Sequence, residues 1–244
     1  ATALGRRVAE LYIDPVTAEV GRAFFESQKR PTTLSYLFML SSTPDAVTVS
    51  VRKGDYETLE SVLEQRGGEL PEPPVDEFEY HEYLSRLKTA LLLEEWVEEV
   101  REDVLVDKYD VGPGDLYLLT QTAVWIAYSL SQVAEILGYS DHAAKLMLLS
   151  KRLEHGVKEE LLELVSLRGI GRVRARSLYK HGYRSLADLL VATVEELARV
   201  PGIGLTLAKR IKAQLEQGLN EATAGMPSRA SETSGEQSRL DSYL

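Results

Sequence analysis

Apolar positions recur at helical spacing along most of the chain. In residues 112–137, GPGDLYLLTQTAVWIAYSLSQVAEIL, the residues Leu119, Thr122, Ile126, Leu130, Val133 and Leu137 fall three or four apart, the spacing of one helix face. Pro113 and Gly114 break what precedes, and Asp115 suits the positive end of a new helix. No Asp, Glu, Lys or Arg occurs between Leu116 and Ala134. A helix that is apolar nearly all round is buried nearly all round. The pattern therefore predicts a central helix with others packed about it. Trp125, mid-way along, either packs inside that bundle or lines a groove through it.

The same periodicity predicts a short amphipathic piece over 1–13, a helix over 15–28 and an apolar run over 34–40 capped by Thr32 and Thr33. Further helices are expected over 55–65 and 139–152. Residues 77–106 read as one long acidic helix or a pair, with Leu84, Leu87, Leu91, Leu92, Trp96 and Val100 as its stripe. VTVSV at 47–51 alternates instead, which predicts a short strand. GGELPEPP at 67–74 is a loop. Residues 15–155 thus hold about six or seven helices with short connections, the pattern of an all-α helical bundle.

Composition narrows the class. Cysteine is absent, which removes disulfides and thiolate metal sites and fits a reducing interior or a thermophile. The 4 His lack ligand spacing. No apolar run reaches membrane length, and no signal peptide opens the chain. Patterned sequence from the first residue suggests a piece of a longer polypeptide, although removal of an initiator Met would look the same. The net charge of −10 argues against nucleic acid until it is divided. Residues 54–110 hold 5 Lys or Arg against 18 Asp or Glu, whereas residues 151–218 hold 13 against 8. A phosphate backbone meets the nearby basic patch first.

That basic stretch carries an internal repeat. LVSLRGIGRVRARSLYKHG (164–182) and LARVPGIGLTLAKRIKAQL (197–215) each place a Gly-apolar-Gly triplet between a short helix and a longer one. The triplets are Gly169, Ile170, Gly171 and Gly202, Ile203, Gly204. Glycines allow a tight hairpin whose backbone N–H groups approach a phosphate, and the next helix points its positive end at the same anion. Arg172, Arg174, Arg176 and Lys180, then Lys209, Arg210 and Lys212, supply charge. Such contacts hold a nucleic acid without reading its sequence. A tandem helix-hairpin-helix module can also be a compact fold used for protein contacts alone.

From Asn220 the composition turns to Ser, Ala, Thr, Gly and Glu, which predicts a disordered linker over 220–236 within a disordered tail over 219–244. The last eight residues differ. Gln237, Leu240, Tyr243 and Leu244 place apolar groups on one face of a single turn, a docking peptide. Their spacing matches the motif that binds the sliding clamp PCNA.

Three stretches carry a family resemblance. ATALGRRVAELYIDP resembles the end of a winged-helix domain, YDVGPGDLYLLTQTAVWIAYSLSQVAEILG (109–138) a ratchet helix, and LRGIGRVRARSLYKHGYRS (167–185) a C-terminal helix-hairpin-helix domain. All are similar to the archaeal superfamily 2 DNA repair helicases called Hjm, relatives of the helicase half of DNA polymerase theta. The resemblance implies the end of a winged-helix domain at 1–14, a ratchet (Sec63-like) bundle at 15–155, a tandem helix-hairpin-helix domain at 156–218 and a clamp-binding tail at 219–244. It implies a cytoplasmic, nucleoid-associated protein whose partners are single-stranded or forked DNA, PCNA and the motor domains of the parent helicase, with no membrane. In the family a Trp on the ratchet helix and an Arg one heptad earlier contact bases. Trp125 matches the Trp, but Leu118 stands at the Arg position. Gln121, Ser129 and Gln132 are the polar groups expected to face DNA beside it.

No G-x-x-x-x-G-K-[ST] loop occurs in the chain, so no catalytic residue, metal ligand or cofactor is expected here. ATP and Mg belong to the motor domains of the parent. The expectation is a DNA-binding region of a 3′-to-5′ helicase acting at stalled forks. The alternative is a non-catalytic protein-interaction scaffold. A nuclease or glycosylase built on hairpins lacks any supporting carboxylate, Lys or metal constellation.

Overall fold

The computed structural model describes residues 2–28 and 30–224. The clamp-binding residues Gln237, Leu240, Tyr243 and Leu244 lie outside them. Among the described residues the structure is helical and contains no strand. Two compact units are present. Of the described residues, the first comprises those up to Ser166 together with Ile170–Arg176, and the second Leu167–Gly169 together with those from Ser177 to Ala224.

The first unit holds α1 (Ala3–Leu11), α2 (Pro15–Ser27), α3 (Thr33–Ser41), α4 (Tyr56–Arg66), α5 (Glu77–Val97), α6 (Glu102–Tyr109), α7 (Pro113–Ile136), α8 (Ser140–His155) and α9 (Leu162–Val165). Short polar side chains start several of these helices. Asp14 accepts from the Val16 amide at 2.7 Å, Thr32 and Ser35 cap each other's backbone, and Asp76 accepts from the Phe78 and Glu79 amides. At α7, Pro113 occupies the first turn and Asp115 accepts from the Gly112 amide at 2.9 Å. α7 packs against α8, α1, α2, α3 and α6. Its residues Leu119, Ala123, Ile126, Leu130 and Val133 are buried in the common core. The predicted central helix is therefore present, and residues 15–155 contain the seven helices α2 to α8.

Two expectations change. The alternation at 47–51 is real, since Val49 and Val51 are buried, but the segment pairs with no strand. Its partners are side chains of α5: the Val49 amide donates to Thr89 Oγ1 at 2.8 Å, and Lys88 Nζ donates to the Ser50 carbonyl and to Asp55. The acidic stretch 77–106 divides between α5 and α6, with Glu99 in the left-handed region at φ 70°. Near α2, α3 and α8, the rings of Phe24, Phe25, Tyr36 and Tyr139 surround His142. Tyr36 Oη lies 2.8 Å from His142 Nδ1.

Within the helix-hairpin-helix repeat, α10 (Arg172–Lys180) follows the first triplet, and α11 (Leu186–Val191), α12 (Val194–Leu197) and α13 (Leu205–Ala224) follow in order. Ser185 and Thr193 form capping boxes with Asp188 and Glu196. The change of composition at Asn220 does not end α13, which continues to Ala224. No helix among the described residues is long and apolar enough to cross a membrane.

Candidate nucleic-acid interface

α7 is buried on most sides but not all. At about 100° per residue, positions 117, 118, 121, 125, 128 and 132 share an arc of about 100°. Tyr117 is 68% exposed, Leu118 51% and Tyr128 40%. Gln121 is exposed, and Trp125 and Gln132 are half-buried. The arc is a stripe of three rings, an aliphatic group and two amides, without a charge. Uncharged rings suit the faces of bases, and amides can bond their edges. Periodicity singled out the buried positions of this helix and so passed over Tyr117 and Tyr128. Their signal was the pair of aromatic residues eight before and three after Trp125.

Trp125 is held in place. Its Nε1–H donates to the Leu11 carbonyl at 3.1 Å, satisfying a carbonyl that the end of α1 leaves without a helical partner. One α1 turn earlier, Arg7 donates to Gln132 Oε1 at 2.9 Å and pairs with Glu10 at 3.1 Å. Ser129 is different from its expected neighbours. It is fully buried, beyond the edge of the arc, and its hydroxyl has no hydrogen-bond partner among the described residues. It cannot touch a strand lying on α7. Leu118 borders a cleft of about 220 Å³ shared with Val47, Val49, Arg52, Asp110 and Leu119. An aliphatic group at this position continues that partly apolar wall.

The Gly-Ile-Gly triplets show how hairpin turns are built. Gly169 and Gly202 have φ of 89° and 83°, a conformation that glycine adopts without strain. Ile170 and Ile203 are buried. A Cβ on Gly171 or Gly204 would meet nothing within 4 Å, so an outside group has access to the backbone where α10 and α13 begin. Arg174, Lys180, Lys209 and Arg210 are exposed.

Arg172, Arg176 and Lys212 have partners within the protein. The Arg172 guanidinium lies 4.3 Å from the Trp96 ring centre, with one terminal nitrogen buried and without a hydrogen-bond partner. Burial pushes its pKa below the usual arginine range, against the pull of Glu102 and Glu99. Arg176 donates to Glu99 through Nε at 2.7 Å and to Glu160 at 2.9 Å. Burial acts to raise the Glu99 carboxyl. The Arg176 fork and the Lys158 amide outweigh it and hold that carboxyl below its ordinary value. Lys212 Nζ donates to the carbonyls of Leu189 and Ala192 at 3.3 and 2.9 Å, and so caps α11. Arg172, Arg176 and Lys212 are therefore bound within the protein, which spacing along the chain could not reveal.

Among the described residues no three His, Asp or Glu side chains come together in a way that could hold a metal ion.

Comparison with known proteins agrees in outline with these features. Residues 34–156 match the family model of archaeal helicase domain 4, and residues 161–217 match the SAM-like helix-hairpin-helix tandem. The chain is 40% identical over 226 residues to the ATP-dependent DNA helicase Hel308 of Pyrobaculum calidifontis, covering 92% of this chain and 31% of that protein. To Hel308 of Methanocella arvoryzae it is 35% identical, covering 88% and 30%. To Hel308 of Thermococcus kodakarensis it is 37% identical, covering 86% and 19%. The chain thus spans about a third or less of the length of these relatives.

Proposed function

Since the chain belongs to the archaeal helicase domain 4 family, we propose that it is the strand-gripping part of a 3′-to-5′ ATP-dependent DNA helicase acting at stalled forks. The observation that carries this reading is the uncharged stripe of Tyr117, Gln121, Trp125, Tyr128 and Gln132 on α7. Its rings take the faces of successive bases, each stacked ring contributing about 1–3 kcal/mol. The Leu11 carbonyl fixes the indole of Trp125 so that little freedom is lost on binding. Phosphates are held in the hairpin module, by backbone amides beside Gly171 and Gly204 and by Arg174, Lys180, Lys209 and Arg210. The stacking and phosphate contacts carry no sequence information. ATP and Mg serve the motor domains of the parent, which work on the nucleoid in the cytoplasm. Residues 237–244 dock PCNA.

The test is a fluorescence anisotropy titration of the full chain with labelled single-stranded, forked and duplex DNA at several salt concentrations. Binding to single-stranded and forked DNA that weakens steeply with salt is expected. Absence of binding at low salt refutes the reading. One observation favours a second reading: Arg172 and Arg176 are already bound by Trp96, Glu99 and Glu160, as suits an interaction scaffold. Capture of PCNA through the tail by a chain that binds no DNA would decide for it.

A further inference from the structure

The α1–α2 junction contains a non-glycine residue in the left-handed region, Tyr12, which caps α1 by donating its N–H to the Ala9 carbonyl at 3.3 Å. Tyr12 follows the last residue of α1 with φ 58°. Helices that end in a left-handed residue place Gly or Asn there in most cases, because a side chain crowds the backbone. Strain of this kind persists where burial or function compensates it. Burial does not, since Tyr12 is 87% exposed.

Its position is informative. Tyr12 is bonded to Leu11, whose carbonyl holds the indole of Trp125 at 3.1 Å. The Arg7–Gln132 contact at 2.9 Å then ties the preceding turn of α1 to a later turn of α7. α1 therefore runs alongside α7 in the opposite direction, with its last residue, Leu11, against Trp125 and Arg7 against Gln132, and the exposed Tyr12 follows Leu11 directly. Arg7 is the cation that α7 lacks: between Leu116 and Ala134 there is none. Five residues of helix separate Tyr12 from Arg7, roughly 7.5 Å. That is about two phosphate spacings of roughly 3.4 Å along a stacked strand.

We propose that α1 completes the DNA face of α7, with Tyr12 stacking on a base next to the one held by Trp125 and Arg7 taking a phosphate of the same strand. The occupant is single-stranded DNA. The rings require exposed base faces, and Arg7, one of the two arginines of α1, complements an anionic backbone by exchanging its contact with Glu10 for a phosphate. This inference rests on the strand-gripping function proposed for α7 and adds residues from a helix outside the matched domain 4 region.

The test uses the full chain and a labelled single-stranded oligonucleotide. Tyr12→Gly removes the ring and also relieves the backbone, so the variant should melt no lower than the parent chain. Its affinity should nevertheless fall by at least about five-fold, the low end for one stacked ring. Arg7→Gln should lower the slope of log affinity against log salt by about 0.7, the loss of one single-strand phosphate contact. Tyr12→Phe, which keeps the ring, should retain the parent affinity. If Tyr12→Gly and Arg7→Gln bind like the parent while Trp125→Ala binds more weakly, the role of α1 is overturned and that of α7 stands. If Trp125→Ala also binds like the parent, the α7 reading fails, and this one fails with it.

Discussion

Replacing Gly156 by Ala tests the packing that joins α5, α8 and α10. Gly156 ends α8 with φ 60°, and a Cβ there would lie 2.6 and 2.7 Å from two ring carbons of Trp96. Carbon atoms pack at about 3.5–4.0 Å, so the ring must move by about 1 Å. It is held by a 2.7 Å bond from Nε1 to the Leu153 carbonyl and by Arg172 over its face. Losing the hydrogen bond costs about 1 kcal/mol, and weakening the cation–ring contact about 0.5–2 kcal/mol. A left-handed residue with a side chain adds about 1 kcal/mol. The sum is about 2.5–4 kcal/mol, or a fall in Tm of roughly 5–15 °C for a domain of this size. Calorimetry and denaturant unfolding measure it. The reasoning is separable by a double-mutant cycle: in a Trp96→Leu background the same change should cost only the backbone part, about 1 kcal/mol. Equal losses in both backgrounds would refute the role given to the Trp96 ring.

Other outcomes follow from the same contacts. Ser129→Ala removes a buried hydroxyl without a partner and should raise stability by about 1 kcal/mol with DNA affinity unchanged; a loss of affinity would return Ser129 to the interface. His142 has its pKa lowered, first by burial and then by Lys145, against Asp141 and the Gln28 carbonyl. The unfolded chain then binds the proton at higher pH than the folded one. Stability should be full above the unfolded value of about 6.5 and decline as pH falls below it; a His142→Gln chain with the same slope between pH 7.5 and 5 would contradict this. Glu99→Gln removes a charge from the pair that holds Arg176. DNA affinity should rise by a few-fold with a steeper salt dependence, measured by anisotropy.

How far the chain could be read depended on where each residue's partners lie. α7 was legible because its start, its stripe and its lack of charge are local. The hairpin turns were legible because two copies of Gly-Ile-Gly repeat one backbone requirement. The segment 47–51 misled because its alternation answers Thr89 and Lys88, some forty residues away, where a second strand would give the same pattern. Arg172 and Arg176 looked like free charges because Trp96, Glu99 and Glu160 meet them only after folding. Tyr12 gave no signal at all, since a left-handed φ at a tyrosine is visible only in the backbone. On the exposed side of α7, Trp125, Gln121 and Gln132 were expected at DNA through the family resemblance, whereas Tyr117 and Tyr128 were passed over because an uncharged aromatic residue on an apolar helix reads as core.

Both tryptophans of the chain bind a helix end in the same way, Trp96 through the Leu153 carbonyl and Trp125 through that of Leu11. The molecule therefore carries two native fluorophores in matched polar settings. Trp125 stands on the stripe assigned to DNA, and Trp96 lies beneath a guanidinium. A strand stacked on α7 would dim the first emitter and spare the second, which serves as an internal standard. Subtracting a Trp96→Phe spectrum from that of the parent would isolate each signal, so that occupancy of α7 can be followed by light without any attached dye.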